Sequence, residues 1–476
     1  MAKYIKTEQG YIDMPSFAPA PFKPAGKSYL TFSSLSSFTL KVNDSTKHWN
    51  GILEYFSADK VWAVWDGTTT LSSVDNDGEY VMYLRGTGNT RITDVPIDTP
   101  YSWVLIGTDI KCIGNIENLL DYATVASGEH PTMASYCYNA MFEDCTSLTQ
   151  APELPATMLA SSCYDSMFQG CTSLTQAPAL PAITLADYCY VNMFQGCTSL
   201  TQAPALPATT LASHCYSTMF FSCTALTQAP VLPATTLANS CYYYMFYGCT
   251  ALTQAPELPA TTLENYCYDS MFQGCTSLTQ APELPATTLA IYCYNAMFYN
   301  CTSLTQAPEL PATTLASHCY NAMFYGCMSL TQIPALPAMT LVDYCYNRMF
   351  NGCIALKLSS TQTGEYTQEY RIPSSGNSVT ATQALLNMFT STGGTFKGTP
   401  SINKTYYLSS DNMIVRETEV ATLNGYVGSM IDVAIDKYAN TAEYIVPSST
   451  QGSTKKFKIT VDDTGTLSAT EITTTS

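Results

Sequence analysis

The sequence predicts an α/β leucine-rich-repeat solenoid of 26-residue repeats, with one short strand and one short helix per turn. An all-β sandwich domain precedes it, and a helix plus a β-hairpin follow. Three observations carry this: a cysteine period that never slips, a tryptophan-rich alternating stretch ahead of it, and a seamed segment with alternating residues behind it. The expected boundaries are an extended arm over 1–24, the sandwich over 25–110, the capped solenoid over 111–412, an oligomerisation helix over 413–440 and the hairpin over 441–476.

A fixed internal period governs the whole fold. Cys137, Cys163, Cys189, Cys215, Cys241, Cys267, Cys293, Cys319 and Cys345 are spaced by 26 residues, and eight full copies run from Cys137 to Tyr344. A fixed period of 20–30 residues with recurring leucine marks a solenoid whose units bury their apolar side only against neighbours. Leu159, Cys163, Tyr164, Met167 and Phe168 fall at helical spacing, and Gly170 follows where a helix end favours glycine. Leu148 to Ala151 forms the extended part, bounded by Pro152 and Pro155, which donate no ladder hydrogen bond.

The unit Met-Phe-x-x-Cys-x-x-Leu-Thr-x-x-Pro-x-Leu-Pro resembles the BspA-type leucine-rich repeats of gut bacteria and their phages, over Cys137 to Leu356. The resemblance implies a stack of leucine-rich repeats and does not fix the biological role.

Ahead of the repeats lie all four tryptophans, Trp49, Trp62, Trp65 and Trp103, in short alternating runs punctuated by Asp66-Gly67 and Asp77-Gly78. Those are strand and turn signals. Tryptophan there is either sandwich core or a platform for sugar rings. Lys111 to Met133 reads as an N-terminal cap. Tyr370 to Pro373 and Ala384 to Phe389 echo the repeat in degenerate form, as a terminal cap does.

Behind the repeats, Val420, Leu423, Val427, Met430 and Ala434 follow a 3-4-3-4 seam, too short for a helix to stand alone and suited to self-association. Lys455 to Val461 and Thr466 to Thr470 read as a hairpin. This tail and Tyr11-Ile12-Asp13 look like the termini of virion fibre proteins of phages infecting gut Bacteroidales, which implies a homotrimer among other virion proteins.

Chemistry is sparse. With 20 basic against 37 acidic residues the net charge is −17, and no basic stripe suits nucleic acid. No stretch reaches membrane-span length, so no membrane insertion is expected. The opening residues lack the apolar region of an export signal. Four scattered histidines form no catalytic signature, and Glu257 with Glu283, one turn apart, has nothing to distinguish acid from base. No catalytic residue, cofactor or metal ligand is assigned, since the Cys-x7-Cys pairs lack zinc spacing. The 19 cysteines read as buried thiol ladders, with disulfides between turns as the alternative. The Thr-Gln dipeptides are expected to point one side chain inward and one outward.

Variation between copies marks a candidate binding face on the helical side of the rod: Tyr188, His214, Phe221, Tyr243, Tyr244, Tyr247, Tyr266, Tyr292, Tyr299, His318, Tyr325 and Tyr344. Tyrosine gives wide contact area with a polar tip at little entropic cost. The other reading is that these rows merely solvate the helices. The expected ligand is a host surface protein or glycan. The sequence therefore reads as a virion fibre or decoration protein, located in the virion, with a bacterial cell-surface BspA-like adhesin as the alternative.

Overall fold

The structure, a computed structural model, describes residues 4–7, 10–13, 22–93, 102–373, 381–415, 444–447, 456–461 and 467–472. The chain divides into two compact units, Met1–Val415 and Arg416–Ser476.

In the first unit, Leu30–Ser34 lies between Glu79–Thr87 and Ile110–Ile113, antiparallel to both, with Phe32 opposite Met82 and Cys112. A second sheet sets Thr39–Val42 between Trp103–Ile106 and Leu71–Ser72. Side chains from both sheets meet in one core, where Phe32 and Trp103 are 6.5 Å apart. Trp49, Trp65 and Trp103 are buried there. Trp62 is half-buried, with the Arg85 guanidinium 4.1 Å over its ring. Tyr4–Thr7 and Gly10–Asp13 pair antiparallel within the stretch that the sequence suggests is an extended arm.

The repeats begin without a break. Ile110–Ile113 pairs in parallel with Leu148–Gln150 of the first copy, so the N-terminal sheet extends into the repeat stack. Between them stands Asn118–Ala126, the one α-helix among the described residues. Successive copies then bridge in parallel, Gln176 to Gln202 to Gln228 and Gln254 to Gln280 to Gln306 to Gln332.

The expected helix in each copy is not formed. In its place runs a string of tight turns in which alternate amides act differently. Cys163, Asp165, Met167, Gln169 and Cys171 donate to the carbonyl three residues back. Ser162, Tyr164, Ser166, Phe168 and Gly170 donate to Asp187, Cys189, Val191, Met193 and Gln195 of the next copy. An α-helix spends its amides on itself and would leave none for the neighbour. Turning every second amide outward needs a left-handed residue at each fourth position, here Ser162, Ser166 and Gly170 at φ 53°, 56° and 71°. Left-handed serine costs about 1–2 kcal/mol, and the added hydrogen bonds between copies, each worth about 1 kcal/mol, offset it.

This ladder stacks like on like. The tyrosines after the first cysteine, Tyr138 through Tyr346, are buried with ring centroids 5.6 to 5.9 Å apart. Phe142 through Phe350 stack beside them at 5.6 to 5.8 Å. Phe32 and Trp103 close the first end of the phenylalanine ladder edge-on to Phe142. Tyr370 and Phe396 close the other end, edge-on to Phe389. Beyond the repeats, Met413–Val415 pairs in parallel with Gln332–Pro334.

All 19 cysteines are buried thiols. From the second copy on, the second cysteine of each pair donates its S–H to the phenylalanine carbonyl one copy back, as from Cys171 to Phe142 at 3.1 Å and from Cys353 to Phe324 at 3.0 Å, and Cys145 of the first copy donates to the Trp103 carbonyl at 3.0 Å.

In the second unit, Lys456–Val461 pairs antiparallel with Leu467–Ile472 and, on its other edge, with Tyr444–Pro447. The third strand goes beyond the expected hairpin. The seam Val420, Leu423, Val427, Met430 and Ala434 lies outside the described residues.

Candidate binding surface

The twelve candidate side chains project from the string of turns, not from a helix. Tyr188 is 42% exposed, and the other eleven are half-buried. They form short stacks. In the row preceding each copy's first cysteine, Tyr266 and Tyr292 lie 4.8 Å apart, Tyr292 and His318 4.2 Å, and His318 and Tyr344 4.3 Å, all within 13° of parallel. Tyr188 and His214 make a separate pair at 4.6 Å, and buried Ser240 interrupts the row. In the row after Met-Phe, Phe221 stacks on Tyr247 at 4.5 Å and Tyr299 on Tyr325 at 4.4 Å, with Gln273 between the pairs. Tyr243 meets Tyr244 edge-on at 4.2 Å, and Tyr244 lies 5.4 Å from Tyr247.

Within a stack each inner ring has both faces covered by its neighbours. Tyr292 and His318 therefore offer ring edges to a partner, and ring faces without a stacked aromatic neighbour occur at the ends of each stack. Burial lowers the pKa of His214 and His318 against the raising effect of Asp187 and Asp343. Ser213 and Ser317 hydroxyls sit 2.9 and 2.8 Å from the respective Nδ1 atoms. The rows are thus uncharged, aromatic and polar-edged.

A neighbouring polar row lies outside the twelve. Asn321 donates through Nδ2 to Asn295 Oδ1 at 2.7 Å, and Asn295 donates to Asp269 Oδ1 at 2.9 Å. Burial raises the Asp269 carboxyl to about 6 despite hydrogen bonds from Asn295 and Ser270. Burial raises Asp165 likewise to about 6. Glu143, raised to about 7 by burial and by Asp144 and Asp165, accepts from Gln169 Nε2 at 2.9 Å. The signal in sequence is the Asn or Asp directly after Cys-Tyr in six copies: Asn139, Asp165, Asp269, Asn295, Asn321 and Asn347.

The Thr-Gln expectation needs correction. From Thr175-Gln176 to Thr305-Gln306 both side chains are exposed. The segment there is too short and too interrupted by proline to alternate faces, and pairing survives only as single bridges at glutamine. Among the described residues no three His, Cys, Asp or Glu side chains converge where a metal would sit, and no helix is long and apolar enough to cross a membrane.

No curated protein and no solved structure matches this chain. The BspA-type leucine-rich-repeat region does match, in six copies over residues 121–253 and 265–370, just over half the sequence. With copies stacked one on the next through shared leucine, cysteine, tyrosine and phenylalanine ladders, the chain belongs to the BspA-type leucine-rich-repeat family.

Proposed function

We propose that the chain is a non-enzymatic adhesion protein whose repeats wind as one continuous right-handed solenoid and present the aromatic rows to a host surface protein or glycan. The family match supports an adhesin-like surface role. The observation that carries the binding face is the four-ring stack Tyr266, Tyr292, His318 and Tyr344. Two other copies place Ser162 and Ser240 at this position, so packing does not demand a ring there. In the setting we favour, the rod is a fibre or decoration protein of a bacteriophage virion, a homotrimer held to other virion proteins by its termini. That setting rests on the expected likeness of the chain's opening and closing segments to phage fibre termini. A second setting, the surface of a bacterial cell, is favoured by the repeat family itself.

The test replaces Tyr266, Tyr292, His318 and Tyr344 together by serine, the residue already tolerated in two copies. Binding of the intact chain to a glycan array and to whole bacterial cells should fall at least tenfold. Undiminished binding rejects the face. Immunogold labelling of purified virions and of bacterial cells separates the two settings.

A further inference from the structure

Another part of each coil carries its own pattern, independent of the aromatic rows. The segment Ala-Pro-x-Leu-Pro recurs, and its x side chain is exposed: Glu153 in the first copy, then Ala179, Ala205 and Val231, then Glu257 and Glu283. Three consecutive copies thus lack charge at a position that is acidic on both sides. Val231 is 78% exposed, a branched apolar side chain in water where its neighbours carry carboxylates. Between the third and fourth copies lies a depression of about 410 Å³ bounded by Pro204, Leu206, Pro207, Pro230, Val231 and Pro233. Its lining holds no polar side chain. Apolar surface rimmed by polar residues marks a docking site, and proline loses no rotamer freedom when it is covered.

Charge decides the occupant. From residue 134 to 356 there are eleven Asp and Glu side chains and a single basic one, Arg348. A field of one sign along the stack steers cations toward it and repels polyanions. At about 5 Å per coil, Glu257 stands one step beyond Val231, Glu283 two, and Glu153 two steps before Ala205. A neutral sugar gains nothing from that frame.

We infer that this strip docks a cationic protein segment, with an apolar side chain seated in the depression and Lys or Arg on its flanks reaching Glu257, Glu283 and Glu153. An extended segment rises about 3.3 Å per residue. Cations two to four positions from the seated residue therefore meet Glu257 and Glu283.

The probe is a yeast-displayed library of random 12-residue peptides selected on the intact chain. Enriched peptides should carry an aliphatic or aromatic residue with Lys or Arg two to four positions away. Their affinity should drop about tenfold on Val231→Glu, which folds because the aligned positions 153, 257 and 283 already hold glutamate. It should drop less on Glu257→Gln with Glu283→Gln, and the loss should shrink at high salt. Absence of enrichment, enrichment of peptides without cations, or affinity that survives Val231→Glu overturns the inference. Loss on Val231→Glu of a neutral oligosaccharide's binding, with no peptide enriched, overturns it in favour of a glycan.

Discussion

Phe389 stacks on Phe350 at 5.7 Å and 7°, although 39 residues separate them where the rule of the ladder is 26. The 13 additional residues are absorbed by the excursion through Tyr366–Arg371, and the chain returns in register. Its amide acceptors return with it: Tyr346, Arg348, Phe350 and Gly352 donate to Ala384, Leu386, Met388 and Thr390. The degenerate segment is therefore a working end turn. It covers the incomplete copy that begins at Cys345 with the same ring and the same hydrogen bonds that each earlier copy supplies.

Phe389→Ala should loosen that end alone. Removing a buried phenylalanine costs about 3–5 kcal/mol, and in a stack where each copy touches only its neighbours the cost stays local. Amide exchange at Tyr346, Arg348, Phe350 and Gly352 should accelerate while Tyr216, Thr218 and Phe220 stay protected. Equal acceleration along the whole stack would refute the nearest-neighbour account.

The period and the ladders of buried residues were legible because they depend on which residues recur. The local backbone was not. Leu159, Cys163, Tyr164, Met167 and Phe168 recur at intervals of three and four whether the segment is a helix or turns repeating every four residues, and ten residues are too few to separate 3.6 from 4. What distinguishes them is the left-handed position, filled by glycine in some copies (Gly170, Gly196, Gly248) and by Ser222 or Asn300 in others. The acceptors of the alternate amides lie 25 residues ahead, which no local pattern reveals. For the same reason the twelve surface aromatics could be aligned in sequence, but their division into a four-ring stack, pairs and an edge-on contact depended on ring orientation.

The thiols should be inert in the folded protein. Burial pushes Cys345 up to about 11 and Cys145 to about 12, so almost no thiolate is present at pH 8. An alkylating reagent at pH 8 should modify none of the cysteines in the native chain. After unfolding without reductant it should modify all 19. A shortfall restored by reductant would establish disulfides between turns and refute the thiol ladder.

Stability should fall as pH rises from 4 to 6. The Asp269 carboxyl keeps its proton up to about pH 6 in the folded chain, against 3.8 as the ordinary value. Between those limits the folded state binds more protons than the unfolded one, so raising the pH favours unfolding. Asp269→Asn keeps the acceptor for Asn295 and Ser270, and asparagine occupies the aligned positions 295 and 321. Denaturant unfolding should show the variant more stable than the parent at pH 8, by up to about 3 kcal/mol, and nearly equal at pH 4. A variant no more stable at pH 8 would mean that the buried carboxylate is better solvated than its surroundings imply.

Assembly should reside in the second unit. Val420, Leu423, Val427, Met430 and Ala434 span two heptads, too few to hold a lone helix in water. The repeat core is already filled by its own ladders. Valine at the first seam position with leucine at the next suits two or three strands, and the proposed fibre role favours three. The place of the cut matters. Asn412 accepts from the Lys357 amide at 2.8 Å and donates to Ala355 and Thr331, and Met413–Val415 covers Gln332–Pro334. A chain ending at Asn412 would lose that strand and confuse unfolding with dissociation, whereas one ending at Val415 keeps the first unit whole. In light scattering at micromolar concentration, residues 1–415 should run as a folded monomer and the full chain at three times 51.8 kDa. Leu423→Asp with Val427→Asp in the full chain should return it to a monomer without altering the exchange protection of the repeats. A parent chain that is itself monomeric, or a double variant that remains trimeric, would place the seam outside assembly and remove much of the case for a virion fibre.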